Sequence, residues 1–229
     1  MYFKLLSYTF ICMSLTHYAE AKPAAFYAGV QGGYTHQAIN LDLAAIDVGP
    51  PEEAEISNKN TTSSNQFNGG IYGGYYMPCL TNRIYFEAFG NVNNTKSKKT
   101  VSTETVYTDG NVKFSKDYTL GVALNYEFTP DNVLSPYFRI GGVNTRFKLT
   151  QDGDPNFGKT KEHTNLWGIS AGAGLRIALN KDFSLRLSYV FNNYEEYKSD
   201  AYTSDTEDKI KFSVRTTDHN FNAGIHYAF

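Results

Sequence analysis

In DYTLGVALNYEF, residues 117–128, Tyr118, Leu120, Val122, Leu124, Tyr126 and Phe128 alternate with Thr119, Gly121, Ala123, Asn125 and Glu127. A two-residue period puts the apolar set on one face of an extended chain and the small or polar set on the other. A helix would scatter the same residues around its circumference. The period recurs in seven more segments: 26–34, 66–76, 83–92, 136–149, 166–179, 183–191 and 221–229. Only 136–149 changes phase. Phe138 and Ile140 share one parity, while Val143, Phe147 and Leu149 share the other, with Gly141-Gly142 at the switch. A β-bulge at the glycines is expected to restore a continuous apolar face.

The spacings between these segments alternate. Residues 77–82, 129–135 and 180–182 are short connections, whereas 35–65, 93–116, 150–165 and 192–220 are long and polar. Tight turns at one end and long loops at the other describe antiparallel up-and-down strands, and an even count returns both ends of the sheet to the short-turn side. Two closed arrangements fit. A soluble barrel of the lipocalin type would turn its apolar rows inward. A transmembrane barrel would turn them outward, closing on itself because lipid offers backbone groups no partner.

Two features favour the membrane. Aromatics stand at both ends of the apolar rows, Phe26, Phe128 and Phe183 near the short turns and Tyr34, Trp167 and Phe191 near the long loops, as two interfacial belts require. The opposite face combines Gly, Ala, Ser and Asn with ionisable groups, which suits a narrow polar interior. The expected fold is all-β, an eight-stranded antiparallel up-and-down transmembrane barrel spanning 22–229.

Residues 1–21 read as a cleaved export signal: Lys4, an apolar run from Leu5 to Leu15, then Ala19-Glu20-Ala21. The run is too short to cross a bilayer as a helix, which takes about 20 residues. Cys79 is then the one cysteine left, so no internal disulfide forms. A formal charge of −2 gives no basic excess for nucleic acid. Lys96, Lys98 and Lys99 offer point charges to lipopolysaccharide phosphates.

The last stretch is NAGIHYAF, with Asn222, Gly224, Tyr227 and Phe229 in the order polar, glycine, aromatic, terminal aromatic. It resembles the C-terminal β-signal of bacterial outer-membrane barrels. With FYAGVQGGY after the export signal, the chain as a whole resembles the eight-stranded barrels of the opacity-protein and outer-membrane-protein-A type. That resemblance implies an outer-membrane location with extracellular long loops, and recognition of the last strand by the barrel-insertion machinery. It also implies a monomer among lipids and lipopolysaccharide, acting as a structural or surface-antigen protein whose loops meet a host or envelope ligand. Unlike the family members that carry one, this chain is not expected to have a peptidoglycan-binding domain after the last strand. A small porin is the alternative, and a lipid A-modifying enzyme is the third reading. The deacylase pattern needs a Ser two residues after a His, and Asp218-His219-Asn220-Phe221 lacks it. His36, His163 and His226 have no metal-ligand spacing. No enzyme activity, metal or cofactor is expected.

Glu87, Arg139, Arg176 and Arg186 each fall about four residues into their strands, roughly 13 Å at ~3.3 Å per residue, on the face opposite the apolar rows. Glu127 lies nearer the turns. An eight-stranded barrel is just wide enough for side chains to fill. The five are therefore expected to plug the lumen as ion pairs, with Glu127 facing Arg139 across their short turn. The alternative is that they line an open pore.

Overall fold

The computed structural model describes residues 26–46, 55–77, 84–93, 100–105, 108–128, 133–152, 160–202 and 209–229. The export signal, Cys79 and Lys96, Lys98 and Lys99 lie outside the described residues. The strands are β1 (Phe26–Ile46), β2 (Glu55–Tyr76), β3 (Ile84–Asn93), β4 (Thr100–Thr105) and β5 (Thr108–Glu127). They continue with β6 (Leu134–Asp152), β7 (Thr160–Ala178), β8 (Phe183–Tyr194), β9 (Tyr197–Tyr202) and β10 (Lys209–Ala228). Both β3 and β4 pair with β5, and both β8 and β9 pair with β10, so each couple is one interrupted stave. The resulting eight-stave sheet is antiparallel throughout and closed by β1 on β10, from Tyr27↔Ala228 to Ile46↔Lys209. Among the described residues no helix is long and apolar enough to cross a membrane, which leaves crossing by strands open.

Apolar rows face outward. Ile71, Ile140 and Ile169 are 68%, 61% and 66% exposed, whereas Glu87, Asn125 and Glu127 are 1%, 0% and 0% exposed. In water such an exterior would be one contiguous apolar patch, far larger than a soluble monomer shows. In lipid it is the required surface, which excludes the soluble alternative. Rings pair along the short-turn rim: Phe26 with Tyr75 at 4.9 Å, Phe128 with Phe138 at 5.4 Å, Phe183 with Tyr227 at 4.9 Å. Around the other rim Tyr34 meets Phe67 at 5.8 Å and Tyr189 meets Phe221 at 5.0 Å.

Pairing runs far into the stretches assigned above to loops. β1 continues to Ile46, β2 begins at Glu55, β6 reaches Asp152 and β10 begins at Lys209. Sequences such as SSNQ and RTTDHN hide this because a strand above the bilayer has no lipid to face, so the apolar alternation lapses while the hydrogen-bond ladder goes on.

The expected bulge at Gly141-Gly142 is absent. β6 keeps unbroken register there against both neighbours, and Val143 and Phe147 point inward, wholly buried. The parity of the strand never changes; its surroundings do. Beyond Gly142 the outward positions are Asn144, Arg146 and Lys148, facing water, while Val143, Phe147 and Leu166 pack inside against Tyr194. The phase switch in the sequence marks where β6 leaves the bilayer. The register shift between β5 and β6 lies instead between Lys116 and Tyr118. Asp117 is the extra residue, and it turns Lys116 from the outer row into the lumen, where it is 2% exposed.

Candidate functional site in the barrel lumen

Inward glycines leave room for the large side chains of the interior. A Cβ on Gly174 would lie 2.4 Å from the Tyr137 ring and 2.5 Å from the Leu187 carbonyl oxygen. Tyr137 can cross the lumen only over a glycine. Gly174→Ala is therefore expected to destabilise the barrel by about 1–3 kcal/mol, the cost of overpacking a close-packed interior. Thermal unfolding in detergent checks this, and an unchanged midpoint would show that the ring moves aside freely.

Three ionic layers are stacked along the axis. Nearest the short turns, Arg176 Nε donates to Glu127 Oε1 at 2.5 Å, and its other nitrogens reach Ser135 at 3.2 Å and Ser184 at 3.4 Å. In the middle layer Glu87 accepts a bidentate contact from Arg186 and lies 3.4 Å from Arg139 Nη1. Tyr27 donates to the same carboxylate at 3.0 Å. Arg186 donates from Nε to the Tyr137 hydroxyl at 2.9 Å, its guanidinium between the rings of Tyr72 and Tyr137 at 4.9 and 4.8 Å. Arg139 stacks on Phe89 at 4.5 Å. Cation–π contacts of this kind strengthen when desolvated, to about 2 kcal/mol.

Nearer the long hairpins, Lys116 Nζ lies 2.5 Å from Asp218 Oδ2, which also accepts from the Tyr194 hydroxyl at 2.7 Å. Tyr194 in turn accepts from Lys116 at 3.3 Å and Thr145 at 3.2 Å.

All five residues expected in the interior face the lumen, but in two groups rather than one layer. Glu127 pairs with Arg176 and not with Arg139, whose register partner on β5 is Asn125. Arg176 and Arg186 stand directly opposite each other in the β7–β8 ladder. Like charges so placed are destabilising unless they diverge. They do: Arg176 turns to Glu127 and Arg186 to Glu87.

The Lys116–Asp218 layer is the part that sequence reading missed. Asp218 was accessible to it, since it shares parity with Asn220, Asn222 and Gly224 on the small, polar face of β10. Lys116 was not, because the bulge at Asp117 reverses its side. His219 faces outward, accepting from or donating to the Tyr189 hydroxyl at 2.7 Å, so neighbouring Asp218 and His219 lie on opposite faces of the β10 wall. Among the described residues no three His, Cys, Asp or Glu side chains converge on a metal position.

The remaining sequence-selected residues are on the outside or at the seam. Phe26, Tyr34, Phe128, Trp167 and Phe183 are exposed on the outer wall, and Phe191 is half-covered by the His219 ring 5.2 Å away. Asn222 and Gly224 face the lumen, opposite Gly33 and Gln31 of β1. Tyr227 stacks edge-on with Phe229 at 5.1 Å, and the Phe229 amide donates to the Phe26 carbonyl at 2.8 Å.

A closed antiparallel wall with an apolar exterior, two aromatic rims and an ionic interior defines an integral β-barrel membrane protein. The chain matches the outer membrane protein beta-barrel domain family over residues 5–229 and belongs to it. The outer membrane is accordingly its location. No curated protein matches its sequence. Among solved structures, the outer membrane protein OprG of Pseudomonas aeruginosa shares 15% identity at a TM-score of 0.59, over 90% of this chain and 96% of that one. Neisserial surface protein A shares 16% identity at 0.45, over 86% and 97%. Ail, the attachment invasion locus protein of Yersinia pestis, shares 16% at 0.38, over 89% and 98%. The likeness to OprG is one of fold alone.

Proposed function

We infer that this barrel is a non-conducting anchor whose working surface is the β-structure it raises beyond the long-hairpin rim, presented outside the cell to a host or envelope ligand. The observation that carries this is the splitting of the wall above that rim into two sheets. In one, β4, β5, β6 and β7 pair in succession; in the other, β9, β10, β1 and β2 do. β4 takes β5 as its partner strand and has no second one among the described residues. Such an edge offers backbone donors and acceptors to an incoming extended segment, the basis of recognition by strand addition. The second sheet is braced at its side chains. Glu196 accepts from Ser213 and lies 3.3 Å from Lys198 and 3.4 Å from Arg215, contacts that hold its carboxyl below the usual range.

Long hairpins that only capped the barrel would have no need of ladders twenty residues long. Shortening residues 94–107 to a tight turn, which removes β4, is expected to lower binding of expressing cells to host surfaces about tenfold, a total loss of roughly 1.4 kcal/mol. The barrel should still convert from its folded to its unfolded gel band only on heating. Binding equal to wild type with β4 removed would exclude this surface.

A further inference from the structure

Between the middle ionic layer and the Lys116–Asp218 layer the lumen holds a cavity of about 20 Å³. One water-sized or monatomic occupant needs roughly 10–15 Å³, and a phosphate or sulfate needs several times more. Lys116, Arg139 and a ring of amide side chains that includes Asn68, Asn93, Asn192 and Asn222 line it, with no carboxylate among the described lining residues.

Two observations give the chamber a sign. Arg139 is 5% exposed, and its Nε and Nη2 have no hydrogen-bond partner, although Nη1 faces Glu87. The Nδ2 of Asn93, a second donor, is also buried without a partner. Independently, among the described residues four Lys and Arg side chains in the lumen (Lys116, Arg139, Arg176, Arg186) meet three carboxylates (Glu87, Glu127, Asp218). Asp218 serves Lys116, Glu127 serves Arg176, and Glu87 serves Arg186 and Arg139 together. The surplus positive charge therefore resides at Arg139, beside the chamber. A buried charge without its counter-charge is among the costliest features an interior can carry. The acceptor oxygens of Asn68, Asn192 and Asn222 also lack partners there. Asn68 and Asn192 already donate from Nδ2, to Thr35 at 2.8 Å and to the Tyr194 hydroxyl at 3.4 Å, whereas a half-turn of the Asn222 amide exchanges its oxygen for N–H donors.

We propose that this chamber binds one small monovalent anion of halide size, held by the free N–H edge of Arg139 and by amide N–H groups. The ion completes the charge balance of the plug and stabilises the folded barrel.

Thermal unfolding of the purified protein in a neutral detergent tests this, with sodium chloride or bromide compared against sodium gluconate at equal ionic strength. The midpoint should rise with halide by roughly 3–5 °C for each tenfold increase above the dissociation constant. Line broadening of the bromide NMR signal by the wild type, reversed by excess chloride, gives a readout that needs no variant. Arg139→Gln should abolish both responses. Asn93→Asp keeps the fold safer, since it supplies a fixed negative charge at the chamber wall. It should be insensitive to halide while melting in gluconate no lower than wild type. Equal wild-type midpoints in chloride and gluconate, with no broadening, would mean that water alone fills the chamber. A halide response that survives in Asn93→Asp would place the ion elsewhere. Either result overturns the proposal.

Discussion

Replacing Glu87 by Ala is expected to lower the temperature at which the folded gel band converts to the unfolded one by about 10 °C. One carboxylate serves Arg186 and Arg139, and all three groups are buried. Removing it leaves two guanidinium groups close together in a site that excludes bulk water, stacked on Tyr72, Tyr137 and Phe89. Breaking a buried pair from one side costs about 3–5 kcal/mol, because the partner's desolvation is no longer offset. At roughly 2–4 °C per kcal/mol for a chain of this size, the shift is large. Glu87→Gln should fall nearly as far, since it keeps the shape but loses the charge. Glu196→Gln, on a half-exposed carboxylate outside the lumen whose Lys198 partner is 73% exposed, should leave the temperature unchanged. Conversion of Glu87→Ala at the wild-type temperature would show that the middle layer is solvated and not structural.

Which side chains enter the lumen was legible in the sequence for a simple reason. A strand has one degree of freedom, its parity, and the bilayer forces every apolar residue in the spanning part to one side. Glu87, Arg139 and Arg186 follow from that alone. What parity does not carry is reach. Arg176 stands in register with Arg186, yet its long side chain descends to Glu127 while Arg186 crosses to Glu87, and only the diameter of the closed barrel decides such pairings. For the same reason Glu127, although its strand is joined by a short turn to that of Arg139, pairs over β6 with Arg176 on β7 instead.

The misread features share a second cause, the ends of the lipid. The apolar alternation reports a contrast between hydrocarbon and lumen, and that contrast stops at the aromatic rim. Above it, Val143 and Phe147 turn inward as they would in a soluble sheet, which mimics a bulge at Gly141-Gly142. Ladders such as Ile39↔Thr62 and Ile39↔Thr216 continue with no periodic signal. The bulge that exists, at Asp117, costs a single polar residue in a polar stretch. Nothing in the letters SKDY distinguishes it. Its effect is nonetheless large, for it delivers the only lysine among the described lumen residues to Asp218.

Wild-type protein reconstituted in a planar bilayer is expected to show no steady conductance. Each layer closes the interior independently. Arg176 and Glu127 with Ser135 and Ser184 close the short-turn end, Glu87 with two arginines and Tyr27, Tyr72 and Tyr137 fills the middle, and Lys116, Asp218, Tyr194 and Thr145 span the top. Ions crossing such a barrel would have to separate three buried ion pairs in turn, each held by forces of several kcal/mol. The cavity between two of the layers holds about 20 Å³, a chamber and not a passage. The stacking also predicts how the block fails. Because the layers act in series, opening one should not open the barrel. Arg139→Ala or Glu127→Gln should destabilise the protein without producing a channel, and current should appear only when members of all three layers are shortened together. An open pore lined by the same residues would behave in the opposite way, with persistent voltage-independent current in the wild type and a change of ion preference in Arg139→Ala at unchanged stability. Single-channel recording with a parallel melting curve distinguishes the two, and that second pattern would move the protein into the porin class.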